Sequence, residues 1–286
     1  MIKKLILVSR PISWVNTAYP YAAAYLISER TFDLRLILGF IFFLIPYNLL
    51  MYGVNDVFDY ESDLHNPRKG GIEGALATKS THKTIIWTSM LSCLPFIVYL
   101  VATESLISTI TLFAVLFLVI AYSAPVLRFK ERPIIDSMTS SAHFTGPLIF
   151  ALSFVNFPIH DWPYVVSFFL WGMASHAFGA VQDIIPDKKG GIASIATYIG
   201  AKETVRLAAL LYATAVIVLF TQGGLAIVAG FIGLIYIVNI YPYLSINEKT
   251  AEKTNKAWRR FIYINYFSGA VITMLLLAYF NVFRMI

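Results

Sequence analysis

Residues 36–63 read LILGFIFFLIPYNLLMYGVNDVFDYESD, and this stretch decides the fold. From Leu36 to Val57 it is apolar and long enough to cross a hydrocarbon core, which takes about 20 helical residues. Backbone groups in lipid must satisfy one another, so such a segment is a helix. The same stretch closes on Asn55, Asp56, Asp59 and Asp63, which puts an acidic helix end at the membrane edge.

Working outward, eight more apolar segments recur: Ser13–Ser28, Thr84–Val101, Ser105–Tyr122, Asp136–Val155, Pro163–Gln182, Val205–Gln222, Leu225–Leu244 and Ala257–Phe283. Of the 286 residues, 58% are hydrophobic and 13% charged, and the mean hydropathy is +0.70. A soluble domain would carry about 25% charged residues, so this chain lacks the polar surface to cover a water-facing globule. No Pro/Gly/Ser linker divides it. The expectation is an all-α membrane bundle of nine transmembrane helices, a single domain over residues 1–286. Lys3 and Lys4 before an apolar stretch imitate a signal peptide, but Arg10, Pro11 and Asn16 interrupt it, so it reads as an uncleaved first span. Cys93 is the only cysteine and excludes an internal disulfide.

Orientation follows from the basic residues. With nine spans, all of the 22 Lys and Arg fall on the amino-terminal side except Arg30, Arg35 and Arg284. That side is expected to be cytoplasmic, with the carboxyl terminus outside the cell membrane. It also carries the two long polar loops, Asp59–Lys83 and Asp183–Glu203, which are expected to form a cap over the bundle. Function concentrates in such loops and the helix ends that frame them.

Asn55, Asp59 and Asp63 are spaced four apart, and Asp56 lies three before Asp59. On a helix the four side chains share one face. Like charges at that spacing repel, so a cation is needed to offset them. Carboxylates and an amide oxygen suit Mg²⁺, which is bound by one or two carboxylates together with substrate phosphate oxygens. The alternative, a merely solvated acidic end, is a poor choice beside anionic lipid. Gln182-Asp183-Ile-Ile-Pro-Asp187 repeats the four-residue spacing, although Pro186 perturbs helical geometry there. Lys69-Gly70-Gly71-Ile72 with Ala77-Thr78 follows the first motif, and Lys189-Gly190-Gly191-Ile192 with Ala196-Thr197 follows the second. This internal repeat suggests two acidic faces holding Mg²⁺ around one diphosphate.

Arg68, Lys69, Lys188 and Lys189 lie just beyond the acids, and Arg128 and Lys130 follow the fourth span. Such cations grip phosphate oxygens, though positive-inside topology alone also explains cytoplasmic Lys and Arg. Tyr122 ends the fourth span, where an aromatic face could stabilise a cation. Asn16, His143 and His176 are polar groups in or near apolar spans; packed, hydrogen-bonded roles compete with site roles for all three. The basic clusters belong to membrane-flanking loops, which argues against nucleic acid as a partner.

These motifs resemble the UbiA superfamily of membrane prenyltransferases across the whole chain. The resemblance implies that the acids bind Mg²⁺ and the diphosphate of a prenyl donor in a bundle cavity. Arg10-Pro11-Ile-Ser-Trp14, Asn66-Pro-Arg-Lys-Gly-Gly71 and Val181-Gln-Asp-Ile-Ile-Pro-Asp187 resemble the lycopene elongase branch, whose members add dimethylallyl units to acyclic carotenoids. Quinone-type members often carry Arg-Pro after the first motif, where this chain has Lys69-Gly70-Gly71. The expected catalytic residues are Asp59, Asp63, Asp183, Asp187 and Tyr122. The expected metal ligands are Asp56, Asp59, Asp63, Asp183 and Asp187. Asn55, Arg68, Lys69, Arg128, Lys130, Lys188 and Lys189 are expected on the diphosphate, and the acceptor is a carotenoid or another lipid. The motifs leave open an aromatic acceptor such as a quinone precursor. A transporter is disfavoured because its acids would lie deep in broken spans.

Overall fold

The structure, a computed structural model, describes residues 1–60 and 77–279. Every regular element among them is helical. Among the described residues, seven stretches are long and apolar enough to cross a membrane: Leu34–Phe58, Lys79–Thr103, Leu106–Ser123, Ile159–Val181, Ala201–Gln222, Gly224–Tyr243 and Glu248–Ala278. The protein is an integral membrane protein. The other two expected spans are helical but weaker candidates. The first is a helix over only Val15–Ser28, 14 residues, which rises about 21 Å where a hydrocarbon core needs about 30. The other, Ile135–Ser153, is long enough but carries Asp136, Ser137, Thr139, Ser140, Ser141 and His143 in its first turns.

The chain forms two compact units, residues 1–129 with 143–157 and residues 130–142 with 158–286. The first contains α1 (Ile2–Val8), α2 (Val15–Ser28), α3 (Leu34–Leu44), α4 (Pro46–Phe58), α5 (His82–Thr103) and α6 (Leu106–Ser123). Helix α7 (Ile135–Ser153) gives its second half to this unit and its first half to the other. The second unit continues with α8 (Trp162–Val181), α9 (Ile184–Gly190), α10 (Ile195–Ile199), α11 (Ala201–Gln222), α12 (Gly224–Ile240) and α13 (Asn255–Tyr279).

Aromatic rings fill the core of the first unit. Tyr21, Phe43 and Phe150 pack with centroids 5.1 to 6.1 Å apart, and Phe154 closes on Phe150 at 4.9 Å. Gly39 admits Tyr21: a Cβ at that position would overlap the phenol ring.

The segment expected as one span over Leu36–Val57 is two helices, α3 and α4, parted at Ile45. Pro46 is the cause, since it has no N–H and its ring clashes with the turn before it. The carbonyls exposed at the break are satisfied by side chains. Asn48 Nδ2 donates to Phe43 O at 2.8 Å and Leu44 O at 3.1 Å, and the Thr17 hydroxyl donates to Phe43 O at 2.7 Å. Asn48 is fully buried. An Asn48→Ala variant is therefore expected to lose about 1–3 kcal/mol, read as a lowered melting temperature in detergent; an unchanged melting temperature would refute this account of the break.

At the other end of α3, Arg35 lies 3.2 Å from Asp33, 3.5 Å from Glu29 and 3.8 Å from Glu104. Burial pushes the Glu104 carboxyl up; Arg35 opposes this, while Glu29 and Asp33 add to it. A carboxyl raised in the folded state binds its proton more tightly there than in the unfolded chain. Stability therefore rises as pH falls through the raised value toward the ordinary 4.5. Glu104→Gln should flatten that rise, and identical melting profiles of variant and parent against pH would count against it.

The long polar stretch expected over Asp183–Glu203 is not an open loop, because it folds as α9 and α10. Gly191, at φ 68°, closes α9 in the left-handed conformation that a glycine adopts without strain. Ser194 and Thr197 cap α10 reciprocally through side chain and backbone. Most of the other expected loop lies outside the described residues.

Candidate active site

In the first unit the acids sit where α4 ends. Asp59 is its C-cap and its N–H donates to Asn55 O at 2.9 Å. One turn apart on the same face, Asn55 Nδ2 donates to Asp59 Oδ2 at 2.7 Å and to Ser123 Oγ at 3.1 Å. With its Nδ2 so engaged, the amide of Asn55 offers Oδ1 as an acceptor. Arg128 reaches Asp59 Oδ1 at 4.0 Å.

Asp56 points elsewhere. Its buried carboxylate takes Arg10 Nη2 at 2.9 Å, and the same guanidinium lies 4.2 Å over the Tyr52 ring. The sequence reading missed Arg10 in this role, although it stands in the Arg10-Pro11-Ile-Ser-Trp14 motif. Both arginines that meet the acids have left-handed backbones, φ 50° at Arg10 and φ 39° at Arg128. Such residues cost about 1–3 kcal/mol and persist where the surroundings over-determine them.

Tyr122 is half-buried and meets His143 ring to ring at 5.0 Å, edge to face. His143 is nearly buried; its Nε2 lies 3.3 Å from Leu118 O, and its own carbonyl accepts from the Tyr47 hydroxyl at 3.0 Å. Asn16 is half-buried in the first turn of α2. Asp63, Arg68 and Lys69 lie outside the described residues.

In the second unit Asp183 follows α8 and Asp187 lies one turn on. Despite Pro186 the turn is helical, with Asp187 N–H donating to Asp183 O at 2.8 Å. Gln182, before the first acid, accepts from Asn255 at 2.6 Å. Ser194 Oγ lies 3.5 Å from Asp187 Oδ2. Lys188 is engaged by Glu248 at 2.8 and 2.9 Å, both side chains about half exposed. Lys189 is exposed, and Lys130 is half-buried in a short 3-10 turn, Phe129–Glu131.

The second unit also holds a buried hub that the sequence reading missed. Asp136 is fully buried. It accepts from Ser137 N–H at 2.6 Å and from the Ser137 hydroxyl at 3.2 Å, and its Oδ2 takes Ile195 N–H at 2.7 Å. Ser137 Oγ is 3.1 Å from His176 Nδ1. Asp136 thus anchors the first turn of α10, next to Ser194, whose hydroxyl reaches toward Asp187. The signal in the sequence was an acid at the start of an apolar span, the kind of residue that is rarely idle there.

Among the described residues no three acids or imidazoles converge as a metal group. The donors that are present, Asn55, Asp59, Asp183 and Asp187, are hard oxygens, the chemistry Mg²⁺ selects. Asn55 and Asp59 close α4, and Asp183 and Asp187 lie at the start of α9. The chain belongs to the UbiA prenyltransferase family, which it matches over residues 17–268. It is 48% identical over 279 residues to a lycopene elongase/hydratase of Corynebacterium glutamicum, covering 97% of each chain. It is 46% identical over 272 residues to the C(50) beta-cyclic carotenoids biosynthesis protein LbtBC of a Dietzia species, covering 94% of this chain and 63% of that one. A UbiA homologue from Archaeoglobus fulgidus, solved with DMAPP and Mg²⁺, shares the fold at a TM-score of 0.66 and 19% identity, covering 94% of this chain and 99% of that one.

Proposed function

We propose that the chain transfers a dimethylallyl group from its diphosphate to the end of an acyclic carotenoid such as lycopene, with Mg²⁺ as cofactor. The observation that carries this is the 48% identity, over 97% of both lengths, to a lycopene elongase/hydratase. Asp59, Asp63, Asp183 and Asp187 would hold the metal, with Asn55 as a neutral oxygen donor. Asp56 has the weakest claim, because Arg10 already offsets its charge. When bound, Mg²⁺ neutralises diphosphate charge and makes pyrophosphate a better leaving group. Arg128, beside Asp59, with Lys130, Arg68, Lys69 and Lys189, takes up the leaving pyrophosphate; Lys188 joins them only by giving up Glu248. As the allylic C–O bond breaks, the carbon bonds to the terminal alkene of the acceptor, and the new cation either loses a proton or is captured by water. Tyr122, with His143 set edge to face against it, turns a π face to positive charge. His176 supports the second acid pair through Ser137, and Asn16, in the first turn of α2, is assigned a lesser role at the site.

The test is the pigment profile, by chromatography and mass, of a lycopene-producing host expressing the chain. Gain of one or two isoprene units supports the reading, and a further gain of water identifies capture of the cation. A well-expressed protein that leaves lycopene unchanged would sink the carotenoid acceptor and return an aromatic one to first place.

The same reading has nine spans and one catalytic domain over residues 1–286. It places the protein in the cell membrane, with the amino terminus and both Asp-rich segments cytoplasmic and the carboxyl terminus outside. Lys and Arg asymmetry supports it. Cys93 is buried, so in a Cys93→Ser background, cysteines placed at Lys79 and Arg30 should react with impermeant reagents from opposite faces. Labelling of both from one face would overturn the topology.

A further inference from the structure

A groove opens between α12 and α13 in the second unit. Its cavity is about 330 Å³ and is lined by Ile235, Val238 and Asn239 from one helix and Arg260, Tyr263 and Ile264 from the other. The spacing on each helix is i, i+3, i+4, so each contributes a single face. The helices are consecutive and antiparallel, and Asn239 Nδ2 ties them together by donating to Ala257 O at 3.0 Å. That bond marks the polar end of the groove, next to the connection over 241–254. Arg260 lies within a turn of it, while Ile235 and Ile264 lie a turn deeper.

The groove is therefore graded from a cation and an amide at its mouth to aliphatic side chains within. Its outer wall is open, with Val238 71% and Tyr263 76% exposed, and in a membrane protein such a wall faces lipid. No carboxylate lines the cavity, so it offers nothing to a diphosphate bridged by metal. Lys249, Lys253, Lys256 and Arg259 lie nearby in the sequence, interleaved with Glu248 and Glu252, and none of them lines the cavity. Arginine at membrane-edge depth pairs bidentately with phosphate, and basic pockets between membrane helices take anionic headgroups.

We infer that this groove is a binding site for one anionic phospholipid, with the headgroup phosphate on Arg260 and an acyl chain along Val238, Ile235 and Ile264. The test is native mass spectrometry of the full chain equilibrated with equal phosphatidylglycerol and phosphatidylcholine, each variant first checked for folding by its melting temperature. The parent protein should retain phosphatidylglycerol preferentially. R260Q should cut that preference about fivefold, the share of one basic residue at a membrane surface, whereas R259Q, outside the groove, should leave it unchanged. V238W should exclude the lipid by filling the groove. Equal retention of both lipids by the parent protein overturns the proposal without any variant. So does an R259Q loss matching that of R260Q, which would mean diffuse surface charge, or displacement of the lipid by dimethylallyl diphosphate.

Discussion

Asp59→Ala is expected to lower product formation by about 10²–10³-fold, the scale of losing one group that stabilises transition-state charge, while leaving the melting temperature within about 2 °C. The two effects separate for a physical reason. A carboxylate at the carboxyl end of a helix faces the negative end of the dipole, and Asp59 is held there by hydrogen bonding from Asn55 and by the nearby Arg128 guanidinium. Its place in the fold is a liability, which points to selection for function. Asp59→Asn keeps the shape and loses the charge, so it should be nearly as inactive. Activity in Asp59→Asn close to that of the parent would show that the charge is not what matters.

Asp136→Ala is expected to cost about 1–3 kcal/mol, because Ile195 N–H is left in the interior without its acceptor. It should also reduce activity about 10–100-fold, as removal of a group that orients metal ligands does. The second loss should appear as a raised Mg²⁺ requirement, which a fault in folding alone would not produce. Asp136→Asn, which retains one acceptor oxygen toward Ile195, should recover most of the stability and part of the activity. Titration of activity against Mg²⁺ for both variants separates the two roles, and an unshifted Mg²⁺ requirement in Asp136→Ala would reduce Asp136 to a structural residue.

What the sequence made legible follows from periodicity and local spacing. Long apolar blocks gave the seven described stretches long and apolar enough to span, and four-residue spacing put Asn55 and Asp59 on one face, as their hydrogen bond bears out. Of the expected repeat, Ala77 and Ala196 are both buried, and residues 69–72 lie outside the described residues. Contacts between residues distant in the chain were not legible. Arg10 meets Asp56 across 46 residues and Asp136 meets Ile195 across 59, and no periodicity links such positions. Pro46 was in plain view, but its consequence depended on Asn48 and Thr17 supplying the donors that make a break tolerable in lipid. The short helices after Asp183 were hidden by their length: seven and five residues are too few for a periodic pattern, and their ends are set by Gly191 and by the capping box of Ser194 and Thr197.

The division of α7 bears on how this protein can be made. The first unit needs residues 143–157, yet the second needs residues 130–142, which the ribosome delivers earlier. Phe150 and Phe154 complete the Tyr21 and Phe43 cluster, so the first unit cannot close until synthesis has passed into material that follows the start of the second. No single cut in the gene yields two polypeptides that each carry an intact core. Split reporters and two-plasmid complementation, which exploit independently folding halves, would have to duplicate this helix rather than divide it.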